Sequence, residues 1–159
     1  MCFKGLIVRP ANKDDLPHVY AIEVSSFDKP YPFPYLEILL NLAPDFFLVA
    51  ECEESIVGYV IALPRSDGSC HIVSIAVAPV YRRKGIGTVL LQSIMHTCSC
   101  RGYRRYVLEV EYTNVPAKRL YEKNGFKTLR SIANYYGPGR HAEVMVAEDY
   151  SYMAGLCSD

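Results

Sequence analysis

The sequence predicts an α/β fold: a mixed central sheet of about seven strands with helices on both faces, in the order β-α-α-β-β-β-α-β-α-β-β. Three observations predict it. Short apolar runs of strand character alternate with segments of helical periodicity. Prolines and glycines punctuate the junctions, with Pro10 and Pro79 closing strands and Gly102 and Gly125 closing helices. The chain has 159 residues, half of them hydrophobic, and no linker, repeat or low-complexity segment divides it. It is therefore expected to be one domain, 1–159, with a sizeable core.

The elements follow in order. "FKGLIVRP" is a short strand stopped by Pro10. Asp14 or Asp15 then caps a helix that accepts Pro17 in its first turn, with Leu16, Val19, Ile22 and Val24 as its apolar face. "FDKPYPFPYL" carries prolines 30, 32 and 34, each of which lacks an N–H and biases its predecessor to extended geometry. A second helix follows at roughly 35–42. "FFLVAE" and "SIVGYVIAL" form a hairpin across a short acidic turn, and "SCHIVSIAVAP" is the next strand. After Gly85 and Gly87, the residues Ile86, Val89, Leu90, Ile94, Met95 and Cys98 recur at helical spacing. "RRYVLEVEY" is a strand. "NVPAKRLYEKNGF" is a helix with Asn114 as cap and Pro116 in its first turn. "FKTLRSIANYY" and "AEVMVAEDY" are strands around the turn "GPGR".

Composition excludes several functions. Lys plus Arg equal Asp plus Glu, so the net charge is zero and general nucleic-acid binding is not expected, because phosphate neutralisation needs a basic excess. No run approaches ~20 apolar residues, and no membrane partner is expected. The start meets Pro10 and two aspartates too early for a signal peptide. The six cysteines contain no CxxC pair and are expected to be reduced in a cytoplasmic protein. Neither a metal ion nor a metal cluster is predicted.

The turn "VYRRKGIGTVLLQSI" poses the functional question. Gly85 and Gly87 clear side chains from a helix start, so the main-chain N–H groups there can face a ligand. The positive helix terminus, with Arg82, Arg83 and Lys84 beside it, favours an anion. By itself the turn is equally consistent with a tight strand-to-helix connection edged by solvated basic residues. It is neither the dinucleotide fingerprint, since Leu90 stands where a third glycine belongs, nor a P-loop, since no GK[ST] follows.

Context narrows this. "VSIAVAPVYRRKGIGTVLLQSIM", then "YVLEVEYTNVPAKRLYEKNGF", then "NYYGPGRHAEVMV" closely resemble the GNAT superfamily of acetyl-CoA-dependent N-acetyltransferases. Within it the chain resembles the N-terminal protein acetyltransferases, both the ribosomal-protein alanine type and the archaeal and eukaryotic catalytic subunits. The likeness is strong over residues 70–148 and extends to the whole chain in element order. It implies the GNAT fold, acetyl-CoA as co-substrate, and protein or peptide N-termini, ribosomal or nascent chains among them, as acceptors. It also implies that Arg83, Lys84, Gly85, Ile86, Gly87 and Thr88 hold the coenzyme's pyrophosphate. The backbone of Ile75, Ala76 and Val77, on a bulged strand, would pair with the pantetheine arm. Asn114 would touch the same arm, and Tyr121 would lie beside the thioester sulfur as the general acid.

Amine acetylation needs a neutral amine and a proton for the departing thiolate. At pH 7, neutralising a peptide α-amine costs roughly 1.4 kcal/mol and a lysine roughly 4.6 kcal/mol, from reference pKa values near 8 and 10.4. A modest base therefore suffices for an α-amine. His71 and Glu109, on neighbouring strands, are the candidate bases, and the resemblance leaves the choice open. A histidine and a glutamate alone are too few ligands to predict a metal. The acceptor entrance is expected from Tyr31 in "PYPFPY" and from Tyr135 and Tyr136 in "NYY", since tyrosine combines an apolar body with a hydrogen-bonding tip. Some relatives carry a glutamate just before the first of these tyrosines; here Asp28 and Lys29 stand there. A lysine or small-molecule acetyltransferase, or an idle acetyl-CoA-binding module, are the alternatives on the same scaffold.

Overall fold

The structure, a computed structural model, describes residues 5–148. Its elements are β1 (Leu6–Pro10), α1 (Leu16–Ser26), α2 (Phe33–Leu42), β2 (Phe47–Cys52), β3 (Ser55–Pro64), β4 (Ser69–Val77), α3 (Ile86–Cys100), β5 (Arg105–Glu111), α4 (Val115–Lys123), β6 (Lys127–Gly137) and β7 (Arg140–Glu148). Their order is the expected one. The seven strands form one mixed sheet in the order β1-β2-β3-β4-β5-β7-β6. Helices α1 and α2 cover one face through Leu16, Val19, Leu36 and Leu39, which pack on Phe47, Val49, Tyr59 and Ile61. Helix α3 covers the other through Leu90, Leu91, Ile94 and Met95, which pack on Val60, Ala62, Tyr106 and Leu108. Each such buried side chain contributes roughly 1.5–3 kcal/mol relative to exposure.

Two local expectations need refinement. Asp15 takes the expected cap position of α1 but makes no side-chain cap bond there; the capping bonds belong to the short 3-10 turn just before it, Lys13–Asp15, where the Asn12 Oδ1 accepts from the Asp14 N–H at 2.9 Å and the Asp15 Oδ2 accepts from the Asn12 N–H at 2.8 Å. Asp15 is also gripped by Arg9 through two bonds of 2.7 and 2.9 Å, a tertiary pairing that local sequence does not reveal. Helix α2 begins at Phe33, two residues earlier than expected, because Pro32 is its cap and Pro34 fits the first turn. The start of the first expected strand, Phe3 and Lys4, and the end of the last, Asp149 and Tyr150, lie outside the described residues. Cys70 and Cys98 are buried free thiols. Cys52 and Cys100 each take part in a disulfide, contrary to the expectation of six reduced thiols. Among the described residues no helix is long and apolar enough to cross a membrane.

Two irregularities shape the centre of the sheet. Strand β4 pairs parallel with β5 only at Ser69↔Arg105, Cys70↔Tyr106 and His71↔Val107. Beyond His71 the two strands diverge, and β4 has no strand neighbour on that side among the described residues. On its other side β4 stays paired with β3, but the register shifts between Ile61↔Ser74 and Ala62↔Ile72, so Val73 is an extra, bulged residue. Side chains alternate along a strand, so one inserted residue reverses the parity after it. Cys70 and Ile72 face α3 before the bulge, while Ile75 and Val77 face α3 after it. Val73 and Ala76 face α1 and α2.

Candidate active site

The cleft between β4 and β5 gathers the chemistry. His71 stands at the last parallel pair and opposite Leu63, which packs on the α1 and α2 side. Glu109 lies two residues past that pair, and its neighbours Leu108 and Val110 are committed to the α3 face. Glu109 therefore projects to the same side as His71. The two side chains meet, with His71 Nε2 2.6 Å from Glu109 Oε2, both partly buried. Burial alone would raise the Glu109 carboxyl. The hydrogen bond with His71 and the fields of His71 and Arg65 outweigh it and hold Glu109 below the usual carboxylate range.

Three tyrosines border this pair. The rings of Tyr135 and Tyr136 meet edge to face with centroids 4.9 Å apart, at the end of β6. Tyr31 leans on Tyr35 with centroids 4.9 Å apart, in the segment between α1 and α2. Burial pushes the Tyr31 phenol up to about 12, helped by the fields of Tyr35, Tyr135, Glu23 and Glu109. Tyr136 is raised as well, first by burial and then by Tyr135, Glu109, Tyr121 and Tyr31. Those mutual fields show that the side chains lie near one another and near Glu109. A turn supports the second wall: Asn134 has φ +57°, its N–H donates to His141 Nδ1 at 3.0 Å, and its Oδ1 accepts from the Gly139 N–H at 2.8 Å.

Tyr121, on α4, approaches from the other face. It is 7% exposed and packs against Phe126. Among the described residues no hydrogen bond holds its hydroxyl, and burial pushes its pKa up to about 12. Asn114 caps α4, its Oδ1 accepting from the Ala117 N–H at 3.3 Å.

The glycine turn leads directly from β4 into α3. Gly85 caps α3 at φ +85°, a conformation that favours glycine, and no side chain caps this end. The first helical bond is Val89 N–H to Gly85 O, so the N–H groups of Ile86, Gly87 and Thr88 have no helical partner. A Cβ at Gly87 would meet Leu120 and Val77 at ordinary contact distance, 3.4 and 4.0 Å. Gly58 is what lets α3 lie so close: a Cβ there would stand 2.9 Å from Leu90 and 3.0 Å from the Ala76 carbonyl oxygen. Arg83 takes φ +61° and is exposed, and the Lys84 amine lies 5.6 Å from the Tyr81 ring centroid. Arg82 is already engaged, donating to the Val77 carbonyl at 2.9 Å and the Ser26 hydroxyl at 3.0 Å.

The predicted residues thus fall into two connected groups. His71, Glu109, Tyr31, Tyr135 and Tyr136 line one face of the cleft, with Tyr121 at its other side. Ile75–Val77 and Arg83–Thr88 run along its edge into the start of α3. The sequence reading missed Glu23, Tyr59 and Ser74, a buried hydrogen-bonded group beneath Tyr31. It placed Val24 on the buried face of α1; Val24 is 48% exposed, and Glu23 is buried instead. Glu23 lies four residues after buried Val19, a spacing that could have found it.

Comparison with known proteins bears on the family and the fold. The model of the acetyltransferase (GNAT) family matches residues 16–126. An N-alpha-acetyltransferase of Sulfurisphaera tokodaii is 34% identical over 152 residues, covering 88% of this chain and 91% of that protein. A putative [ribosomal protein bS18]-alanine N-acetyltransferase of Bacillus subtilis is 36% identical over 132 residues, covering 81% and 85%. The crystal structure of Ard1 from Thermoplasma volcanium superposes with a TM-score of 0.87 at 27% identity, covering 91% of this chain and 97% of that one.

Proposed function

The chain belongs to the acetyltransferase (GNAT) family, and on that premise we propose that it transfers the acetyl group of acetyl-CoA to the N-terminal α-amine of a protein or peptide. One observation carries the reading. The parting of β4 from β5 opens the sheet where His71 and Glu109 meet, with Tyr121 across the gap. An acceptor enters from the α1 and α2 face and the coenzyme from the α3 face. The names and titles of the related proteins, which include N-alpha-acetyltransferases, support the choice of acceptor.

The residues present fit the coenzyme. Ile86, Gly87 and Thr88 offer unbonded N–H groups at a positive helix end, with Arg83 and Lys84 beside them, which suits a pyrophosphate. The edge of β4 from Ile75 to Val77 offers main-chain groups to the amide-bearing arm, and Asn114 lies at the start of α4. Acetyl-CoA supplies the activated acyl carbon and a thiolate leaving group. Tyr31, Tyr135 and Tyr136 grip the peptide's first residues. His71 and Glu109, sharing one hydrogen bond, take up the ammonium proton, directly or through water, so that the amine attacks as the free base.

Tyr121 serves the sulfur as a hydrogen-bond donor. Its phenol is pushed up to about 12, against roughly 8.5 for an ordinary thiol, so complete proton transfer to the thiolate would cost about 5 kcal/mol. A hydrogen bond to the developing negative charge requires no such transfer and acts only as the bond breaks. The test is the rate of acetyl transfer to a lysine-bearing peptide with a free N-terminus against its N-formylated copy. The free peptide should react at least tenfold faster. Equal rates would move the acceptor to lysine.

A further inference from the structure

Glu23 is the most buried charged side chain among the described residues, at 1% exposure. A carboxylate in such a place is costly unless its oxygens are filled. They are filled by three neutral donors. The Tyr59 hydroxyl gives a bond of 2.5 Å and the Ser74 hydroxyl one of 3.1 Å, both to Oε1. The third is the main-chain N–H of Tyr31, 2.9 Å from Oε2. The Tyr59 and Ser74 oxygens also lie 3.1 Å from each other, and with one proton on each hydroxyl two of the three contacts in this triangle are filled at a time.

The position of this group gives it a task. Ser74 directly follows the bulged Val73, at the head of the β4 edge assigned above to the coenzyme. Tyr31 packs on Tyr35 in a segment without helix or strand, so main-chain hydrogen bonds of regular structure do not hold it. Pro30 and Pro32 carry no N–H, so Tyr31 provides the sole main-chain donor of that Pro-Tyr-Pro stretch and gives it to Glu23. One carboxylate thus binds the acceptor wall through one oxygen and the bulged strand through the other.

We infer that Glu23 is a positioning residue for the acceptor: it fixes Tyr31 relative to β4, and so sets where the incoming amine stands with respect to the thioester. This rests on the proposed function, since Tyr31 must be an acceptor wall for its placement to matter. Glu23 accepts hydrogen bonds in this role and moves no proton. A glutamine can do the same, with its oxygen facing Tyr31 and its amide facing the two hydroxyls, which rotate to accept.

The experiment is steady-state kinetics on the full chain, with an α-amine peptide and acetyl-CoA each varied. The variants are Glu23→Ala, Glu23→Gln, Tyr31→Ala and the double variant Glu23→Ala/Tyr31→Ala. Glu23→Ala should raise KM for peptide about 10-fold or more and leave KM for acetyl-CoA within about twofold. Glu23→Gln should restore peptide KM to within about threefold of the parent, with kcat unchanged. In the Tyr31→Ala background, Glu23→Ala should add almost nothing, because residues acting through one another are not additive. If Glu23→Ala does not fold, Tyr59→Phe replaces it, with a smaller rise of about threefold and the same cancellation. Additive effects, or equal losses for both substrates, would reduce Glu23 to a general structural residue and overturn the inference. A kcat lost in Glu23→Gln would make it a proton carrier and overturn it too. A peptide KM unchanged in Tyr31→Ala itself would remove the acceptor wall, a failure of the underlying reading recognisable as such, and the inference with it.

Discussion

Tyr121→Phe removes one oxygen and keeps the ring. The magnitude follows from what that oxygen touches. In the free protein the hydroxyl is bonded to nothing among the described residues, so the variant forfeits no internal hydrogen bond. Stability should change by under about 0.5 kcal/mol, since the variant keeps the ring that packs on Phe126 and no buried side-chain polar atom among the described residues is left without a partner. Coenzyme affinity should also hold, because the hydroxyl is assigned to the sulfur only as charge develops. The loss belongs to kcat. A hydrogen bond to a charged partner is worth about 1.5–3 kcal/mol, which is roughly 10- to 150-fold in rate. The pH profile adds a second readout. With the phenol pushed up to about 12, its ionisation lies beyond the working range, so parent and variant should show the same profile between pH 6 and about 10. The assay is kcat at saturating peptide and acetyl-CoA, paired with a thermal melt. A kcat within twofold of the parent would refute the role. A large kcat loss with a much lower Tm would refute the argument that the hydroxyl is free.

Three further outcomes are expected. Gly85→Asp should weaken coenzyme A binding at least 100-fold by calorimetry, because φ +85° disfavours a side chain and the new carboxylate sits at an anion site; unchanged affinity would contradict the assignment. Tyr136→Ala should raise KM for peptide about 10-fold while KM for acetyl-CoA holds, and an effect on the coenzyme instead would put Tyr136 on the wrong side of the cleft. The lowered Glu109 carboxyl contributes stability that is present above its unfolded value of about 4.3 and is lost as pH falls through its lower folded value. The stability gap between the parent and Glu109→Gln, measured by denaturant titration, should therefore be full at pH 7 and close below about pH 4; a gap independent of pH would contradict the pairing with His71.

The order of elements was legible because prolines and glycines mark nearly every junction, and because α3 has a clean helical period from Ile86 to Cys98. Sheet order was not, since pairing depends on contacts far apart in the chain. The bulge in β4 was implied by the resemblance and is found at Val73, but the pattern of "HIVSIAV" alone leaves no trace of it, since apolar residues occupy both parities and no alternation exists to be broken. The divergence of β4 from β5 is equally invisible, though it creates the cleft. The site residues were reached through the resemblance, whereas their meeting, such as the 2.6 Å contact of His71 with Glu109, is a property of the fold. Asp15 holds its expected cap position, but its carboxylate goes to Arg9 and the Asn12 N–H rather than to the first turn of α1, a tertiary pairing that local sequence does not show. Glu23 was overlooked because the buried face of α1 was traced through apolar residues alone, passing from Ile22 to Val24.

The central claim is that a peptide α-amine and the acetyl thioester meet through the gap between β4 and β5. A conjugate in which coenzyme A is joined through an acetyl bridge to a peptide's α-nitrogen spans both halves of that gap. Its affinity, measured by calorimetry against coenzyme A, the free peptide and an isomer joined through a lysine side chain, tests the claim directly. The account predicts that the α-linked conjugate binds at least 100-fold tighter than coenzyme A alone and at least tenfold tighter than the lysine-linked isomer, because it joins two subsites in the reacting geometry. An α-linked conjugate that binds no better than coenzyme A, or less well than the lysine-linked isomer, would contradict it.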